Sequence, residues 1–354
     1  MSADARDAAH GFALAGPVVE CAPVAGGHIH ATFVVDCATE RYILQRLNEH
    51  VFPDLDALAA NHARVITHVS SHGLRTPTVT PARDGRAWYR APGGAAWRAF
   101  AYLDGTVARE TVATADDAFE AARAFGEFDA VVAGLDPHAL TETIPHFHDL
   151  AWRRAALDAS VARDPRGRAA AVDREIATAR ILARRVMELL EPCLAALPRR
   201  VVHNDAKIAN VRFDSGTGRA ECVIDLDTVM PGTVLHDVGE LVRTATTHAP
   251  EDAQALDRVD FDLELLNAIA AGYCAGARGS LAGAEIGALA VAGPWLATEN
   301  GVRFLTDHLD GDTYFRIERD GQNLDRCRTQ FRLVELMLEH LDDARRAFAR
   351  AGRS

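Results

Sequence analysis

At 354 residues, 48% of them hydrophobic and 25% charged, the chain has room for one bilobal unit or two domains sharing a cleft, and its make-up is that of an ordinary globular protein. A formal charge of −12 argues against nucleic acid as a partner, because its binders carry a basic footprint. The six cysteines (Cys21, Cys37, Cys193, Cys222, Cys274 and Cys327) are dispersed without a CxxC pair or zinc-like spacing, so they read as reduced thiols. No basic-then-apolar leader opens the sequence, and the most apolar stretch, 281–296, is broken by Glu285, Gly287, Gly293 and Pro294; a cytoplasmic protein with no membrane partner is expected.

Three strands are predicted first: VVECAPV, HIHATFVVDC after a turn at Gly26-Gly27, and RYILQRLN after a polar turn. Residues 53–71 carry Leu55, Leu58, Ala59, Val65 and Val69 at near-helical spacing, which predicts a helix packed on that sheet. Two short strands follow around 78–80 and 87–103. Beyond Asp104-Gly105 the composition turns alanine-rich, and helical periodicity runs through 116–132, 150–163 and 168–190. Cys327, Phe331, Val334, Leu338, Leu341, Ala344 and Phe348 recur at steps of three or four and predict one long final helix. The organisation is α+β, with a small β-rich lobe over 1–104 that carries one helix and a large, mostly helical lobe over 105–354.

The most informative stretch is VVHNDAKIANVRFDSGTGRAECVIDLD, residues 201–227. Its apolar runs and turn residues predict a hairpin with a polar loop before the first strand and the acids Asp225 and Asp227 after the second. Asp205, Asn210 and Asp225 are thereby brought to one edge. That arrangement suits phosphoryl transfer, which depends mainly on positioning and charge neutralisation. Asp205 fits the base that accepts the acceptor's hydroxyl proton, and Asn210 and Asp225 offer the hard oxygens that magnesium (Mg2+) prefers. Lys207 can steady the moving phosphoryl group, and His203 orients the loop. In the first lobe, Gly26 and Gly27 are placed to cover nucleotide phosphates, and Arg46 on the third strand is the candidate for the cation that kinases carry there.

The pattern H-x-D-x-K-x-x-N, followed fifteen residues later by an aspartate after an apolar strand, resembles the catalytic core shared by protein kinases and aminoglycoside phosphotransferases. The resemblance implies a protein-kinase-like bilobal fold, with a nucleotide-binding lobe at 1–104 and a catalytic, acceptor-binding lobe at 105–354. The segments GGHIHATFVV, YILQRLNEHVFPD, IPHFHD, VIDLDTVMPGTVLHDVGE and ENGVRFLTDHLDGDTYF are similar to those of bacterial N-acetylhexosamine 1-kinases. What this resemblance implies is ATP- and magnesium-dependent phosphorylation of the anomeric hydroxyl of N-acetylglucosamine or N-acetylgalactosamine. Asp205 would then be the base and Asn210 and Asp225 the metal ligands, with Asp227 assisting.

Sugar recognition needs buried polar groups in the helical lobe, and Arg243, Arg303, Glu299 and His30 are the candidates. Kinases of other small alcohols, such as an aminoglycoside, choline or homoserine, would use the same loop; arginines favour neutral or acidic acceptors over amines. A nucleotide-binding pseudokinase module is disfavoured because base, lysine and metal ligands are all present. The expected partners are a small-molecule sugar and a nucleoside triphosphate, bound by a monomer or weak homodimer.

Overall fold

The computed structural model describes residues 2–24 and 29–353, so the turn expected at Gly26 and Gly27 lies outside the described residues. A short helix, α1 (Ser2–Ala9), precedes the strands β1 (Val18–Pro23), β2 (Ala31–Cys37) and β3 (Arg41–Arg46). Helix α2 (Leu55–Ser71) is capped by Asp54, whose carboxylate accepts the Ala57 N–H, and buries the expected Leu55, Leu58, Val65 and Val69. Strands β4 (Val79–Thr80), β5 (Tyr89–Arg90) and β6 (Ala96–Ala101) complete an antiparallel sheet in the order β1-β2-β3-β6-β4, with β5 also on β6. One face, with Phe33, Val35, Tyr42, Leu44 and Trp97, is sealed by Ala5, Ala8, Ala9 and Phe12 from α1 and the loop after it. Gln45 and Arg98 pair across β3 and β6 and share the other face.

The chain leaves the sheet through β7 (Thr106–Ala108) and enters α3 (Ala115–Val132), which opens on a reciprocal Thr114–Asp117 capping box. Helices α4 (Leu150–Arg163) and α5 (Asp173–Leu194) lead to β8 (Arg200–Val202), and the expected hairpin follows as β9 (Val211–Asp214) and β10 (Ala220–Val223). Strand β11 (Met230–Gly232) returns to pair with β8. The lobe is completed by α6 (Val234–Ala245), α7 (Leu263–Ala277), α8 (Gly283–Ala288), α9 (Ala292–Asp310), α10 (Gln322–Glu339) and α11 (Leu341–Ala351). Helices α3 and α7 approach so closely that a Cβ at Gly276 would collide with the Arg123 carbonyl. A β-sheet lobe joined to a helical lobe is the expected architecture.

The final segment is corrected in one respect: it forms two helices, broken at His340 (φ −102°, ψ 21°), rather than one. The break consumes a single residue, and Leu338 and Ala344 both remain buried in the core on either side of it. The apolar spacing therefore runs through the joint and hides it from periodicity.

Candidate active site

Buried Val201 and Val202 on β8 deliver the loop 203–210 into the cleft. Its entry is held by Asp237 on α6, whose carboxylate accepts the backbone N–H of His203 at 2.7 Å and of Asn204 at 2.5 Å. Behind it sits Asp129, whose carboxyl is pushed well above the ordinary range by burial and by the negative charge of Asp237. A protonated Asp129, bonded to the Tyr273 hydroxyl, avoids a second buried charge there. Asn204 occupies left-handed backbone (φ +64°) and donates its amide to the carbonyls of Thr228, Val202 and Met230. Gly232 makes room for it: a Cβ at that position would stand 2.7 Å from Asn204 Oδ1. His203 accepts the Asp205 N–H at Nδ1 (3.3 Å), so Nε2 carries the proton and donates it to the Ile224 carbonyl (3.0 Å). Flanked edge-on by Phe125 and Phe128, His203 is a strut for the loop.

The catalytic candidates converge. Asn210 donates its amide to the Asp205 carbonyl at 2.8 Å and to Asp205 Oδ2 at 2.9 Å, and Lys207 Nζ lies 3.0 Å from the same oxygen. Among the described residues nothing donates to Asp205 Oδ1, which is left with its acceptor capacity unused. Desolvation acts to raise the Asp205 carboxyl, but Lys207 and the donated bonds outweigh it and lower it below the usual value, keeping the carboxylate ionised. In the opposite sense, Asp205 and Asp225 overcome desolvation of Lys207 and raise its pKa.

Asp225 follows β10 in left-handed backbone (φ +61°) at the cleft opening. Its carboxylate makes no hydrogen bond or ion pair with the described residues. Partial desolvation, together with the charges of Asp227 and Asp205, acts to raise its carboxyl, although the residue remains exposed. A bound divalent cation would reverse that penalty. The free Asn210 Oδ1 and the Asp225 carboxylate make a hard-oxygen pair fitted to magnesium, which takes one or two protein ligands and completes its shell with phosphate and water.

Three expectations change. Asp227 does not offer its oxygens to a metal, because both are already bonded to the Arg98 guanidinium, Oδ2 at 2.6 Å. His30 Nε2 and His62 Nε2 stand 2.7 Å from Oδ2 and Oδ1 respectively. His30 accepts the Asn48 N–H at Nδ1, so its Nε2–H donates to Asp227; it belongs to this cluster and is not joined to Arg303. Arg46 is exposed and pairs with Trp97 on the α1-covered face of the sheet. Strand alternation turns Gln45 instead toward the site, where it accepts a bond from Arg98 Nε at 2.8 Å. Arg98 and His62 escaped sequence reasoning because neither lies in a recognisable motif.

On the helical side, Arg243 is corrected as well. Its guanidinium is consumed by Glu240, Glu251 and Gln330, which makes it a structural ion-pair residue. Glu299 is fully buried; its Oε2 meets His148 Nδ1 at 3.0 Å, and Arg153 Nε lies 3.7 Å from Oε1. His148 Nε2 in turn bonds the Asn204 carbonyl at 2.7 Å, linking this helix to the catalytic loop. Arg303, one turn beyond Glu299, has a single polar bond among the described residues, to Asn300 at 3.4 Å, and is surrounded by the rings of Phe147, Tyr314 and Phe315 at 5.3–5.7 Å. Tyr314 is 54% exposed beside it. A cavity of about 450 Å³ opens along the loop, lined by Phe147, His148, Asn204, His236 and Trp295.

Both His148 nitrogens face acceptors, as in an imidazolium. Burial acts to lower its pKa, but Glu299 overrides this and raises it above the ordinary value. The pair therefore contributes stability that is complete below the unfolded histidine value of about 6.5 and is lost as pH rises through the higher folded value. Glu299→Gln is expected to remove that part of the fall in melting temperature with pH. An unchanged profile would contradict the pairing.

With this geometry in view, the chain matches the model of the phosphotransferase enzyme family over residues 20–283 and belongs to that family. Its fold is similar to that of an aminoglycoside phosphotransferase from Alicyclobacillus acidocaldarius (TM-score 0.64, 14% identity, 97% of this chain and 96% of that one covered). It is similar also to a microcompartment-associated aminopropanol kinase (TM-score 0.61, 18% identity, 96% and 97% covered). A choline kinase from Cryptosporidium parvum Iowa II is a third (TM-score 0.54, 15% identity, 92% and 90% covered). The chain is a phosphotransferase, and its fold is protein-kinase-like. Among the described residues no helix is long and apolar enough to cross a membrane.

Proposed function

We propose that this phosphotransferase uses ATP and magnesium to phosphorylate the anomeric hydroxyl of an N-acetylhexosamine, giving the sugar 1-phosphate. The observation that carries the kinase chemistry is the free Asp205 Oδ1 standing beside Lys207, Asn210 and Asp225 at one cleft edge. Asp205 orients the acceptor hydroxyl and takes its proton, and Lys207 offers a fixed positive charge to the transferring group. Magnesium, when bound, neutralises the nucleotide phosphates; Asn210 and Asp225 would hold it. The sugar assignment rests on the similarity of five segments to N-acetylhexosamine 1-kinases and is supported by Arg303. An arginine with unmade hydrogen bonds, set among Phe147, Tyr314 and Phe315, suits a neutral, oxygen-rich ring: the guanidinium binds hydroxyl or acyl oxygens, and the exposed Tyr314 face takes the apolar side of a pyranose. A polyamine acceptor would meet repulsion there. With ATP as co-substrate, the cytoplasm is the proposed compartment.

The test is an acceptor screen with magnesium and ATP over N-acetylhexosamines, hexosamines, neutral hexoses, aminoglycosides and choline, including the 1-O-methyl glycoside of the best sugar. The free sugar should turn over and the methyl glycoside should be inert. Arg303→Ala should raise the acceptor KM about 10- to 150-fold, the loss of a charge-assisted bond worth about 1.5–3 kcal/mol, with little change for ATP. A phosphorylated methyl glycoside would exclude the anomeric position, and a preference for choline or aminoglycosides would overturn the sugar class.

A further inference from the structure

Kinases of this architecture hold a lysine on the third strand against a glutamate of the helix packed on the sheet, and that lysine meets the nucleotide phosphates. Neither partner stands in its usual place here. The β3 position that turns to the site is Gln45, a neutral amide. Helix α2 carries one acid, Asp56, and that acid is exposed and bonded to the Trp88 indole. At the point where α2 reaches the site stands His62 instead.

The missing charges are supplied from elsewhere. Arg98 on β6 is the direct cross-strand partner of Gln45, so the cation has moved by one strand, roughly 5 Å, while staying on the same face. Its carboxylate partner comes from the other lobe: Asp227 takes both terminal guanidinium nitrogens, and Gln45 takes Nε. His62 from α2 and His30 from the residue before β2 converge on the same two oxygens, so one carboxylate joins sheet, helix and helical lobe. Asp227 lies two residues from Asp225, and Arg98 is among the charges that act on the Asp225 carboxyl, lowering it. One N–H on each terminal nitrogen of Arg98 has no partner among the described residues.

We infer that Arg98 is the N-lobe cation of the nucleotide site, and that Asp227 is the carboxylate that positions it rather than a metal ligand. The inference rests on the kinase reading above, and it gives Asp227, held from α2 by His62, the task that an acid on the packed helix performs elsewhere. Removing Arg98 alone would leave Asp227 short of positive charge and could unfold the lobe, so the informative variant is the pair Arg98→Ala with Asp227→Asn, in which both charges go together.

The experiment is calorimetric titration of the full chain with magnesium-ATP, alongside a thermal melt. The double variant should keep a cooperative melt and lose at least tenfold in ATP affinity, and Arg98→Lys should recover part of it. If the double variant binds ATP as the wild type does, Arg98 serves only to neutralise Asp227 and the inference is overturned. If the wild type itself fails to bind magnesium-ATP, the kinase reading fails first. Normal wild-type binding with unaffected variants sinks this inference alone.

Discussion

Asp205→Asn should lower kcat by about 10²–10⁴-fold, the usual contribution of a positioned general base, while binding of magnesium-ATP stays within a few-fold of wild type. The amide keeps an acceptor oxygen for Lys207 and for the Asn210 amide, so loop geometry survives. What disappears is a group able to accept the acceptor's proton at neutral pH, a task for which Lys207 and the donated bonds hold the native carboxyl ionised. Coupled detection of ADP release gives kcat, and calorimetry gives the nucleotide affinity. Near-normal turnover in a folded variant would remove Asp205 from the base's role.

Asp225→Asn is expected to act on the nucleotide side, with a fall in kcat of about 10²–10³-fold and a loss of the magnesium-dependent part of ATP affinity. Its effect on stability should have the opposite sign. Asp225 stands exposed at the cleft opening beside the carboxylates of Asp227 and Asp205, and a neutral amide there relieves their mutual repulsion. The melting temperature of the variant without ligand should match or exceed that of the wild type. If ATP titrations with and without magnesium give the same affinities in wild type and variant, Asp225 holds no metal.

How far these residues could be read from sequence depended on whether their partners lie nearby in the chain. Asp205, Lys207 and Asn210 sit within six residues of one another, and Asp225 is separated from them by a single hairpin, so local pattern sufficed. Helices such as α2 and α4 were legible for the same reason: the helical spacing of their apolar residues marks the buried faces, which is local information. The Arg98–Asp227 pair spans 129 positions and the His30–Asp227 pair 197. No periodicity encodes such contacts. Arg46 is the only cation that alternation offers on this part of β3, but alternation says which residues share a face and not which face meets the cleft. Arg243 and Arg303 looked alike as arginines within helical segments; only packing showed that Glu240 and Glu251 consume the first, while the second lies among aromatic rings with no acidic partner among the described residues.

The most direct test of phosphoryl transfer to an anomeric oxygen is a ³¹P NMR time course of the enzyme with magnesium-ATP and N-acetylglucosamine or N-acetylgalactosamine. The γ-phosphate signal should be replaced by equal amounts of ADP and one sugar phosphate whose phosphorus couples to the anomeric proton, and the Asp205→Asn variant should leave ATP unchanged over the same period. A phosphate ester coupled to any other sugar proton, or release of inorganic phosphate with no ester formed from any acceptor, would contradict it.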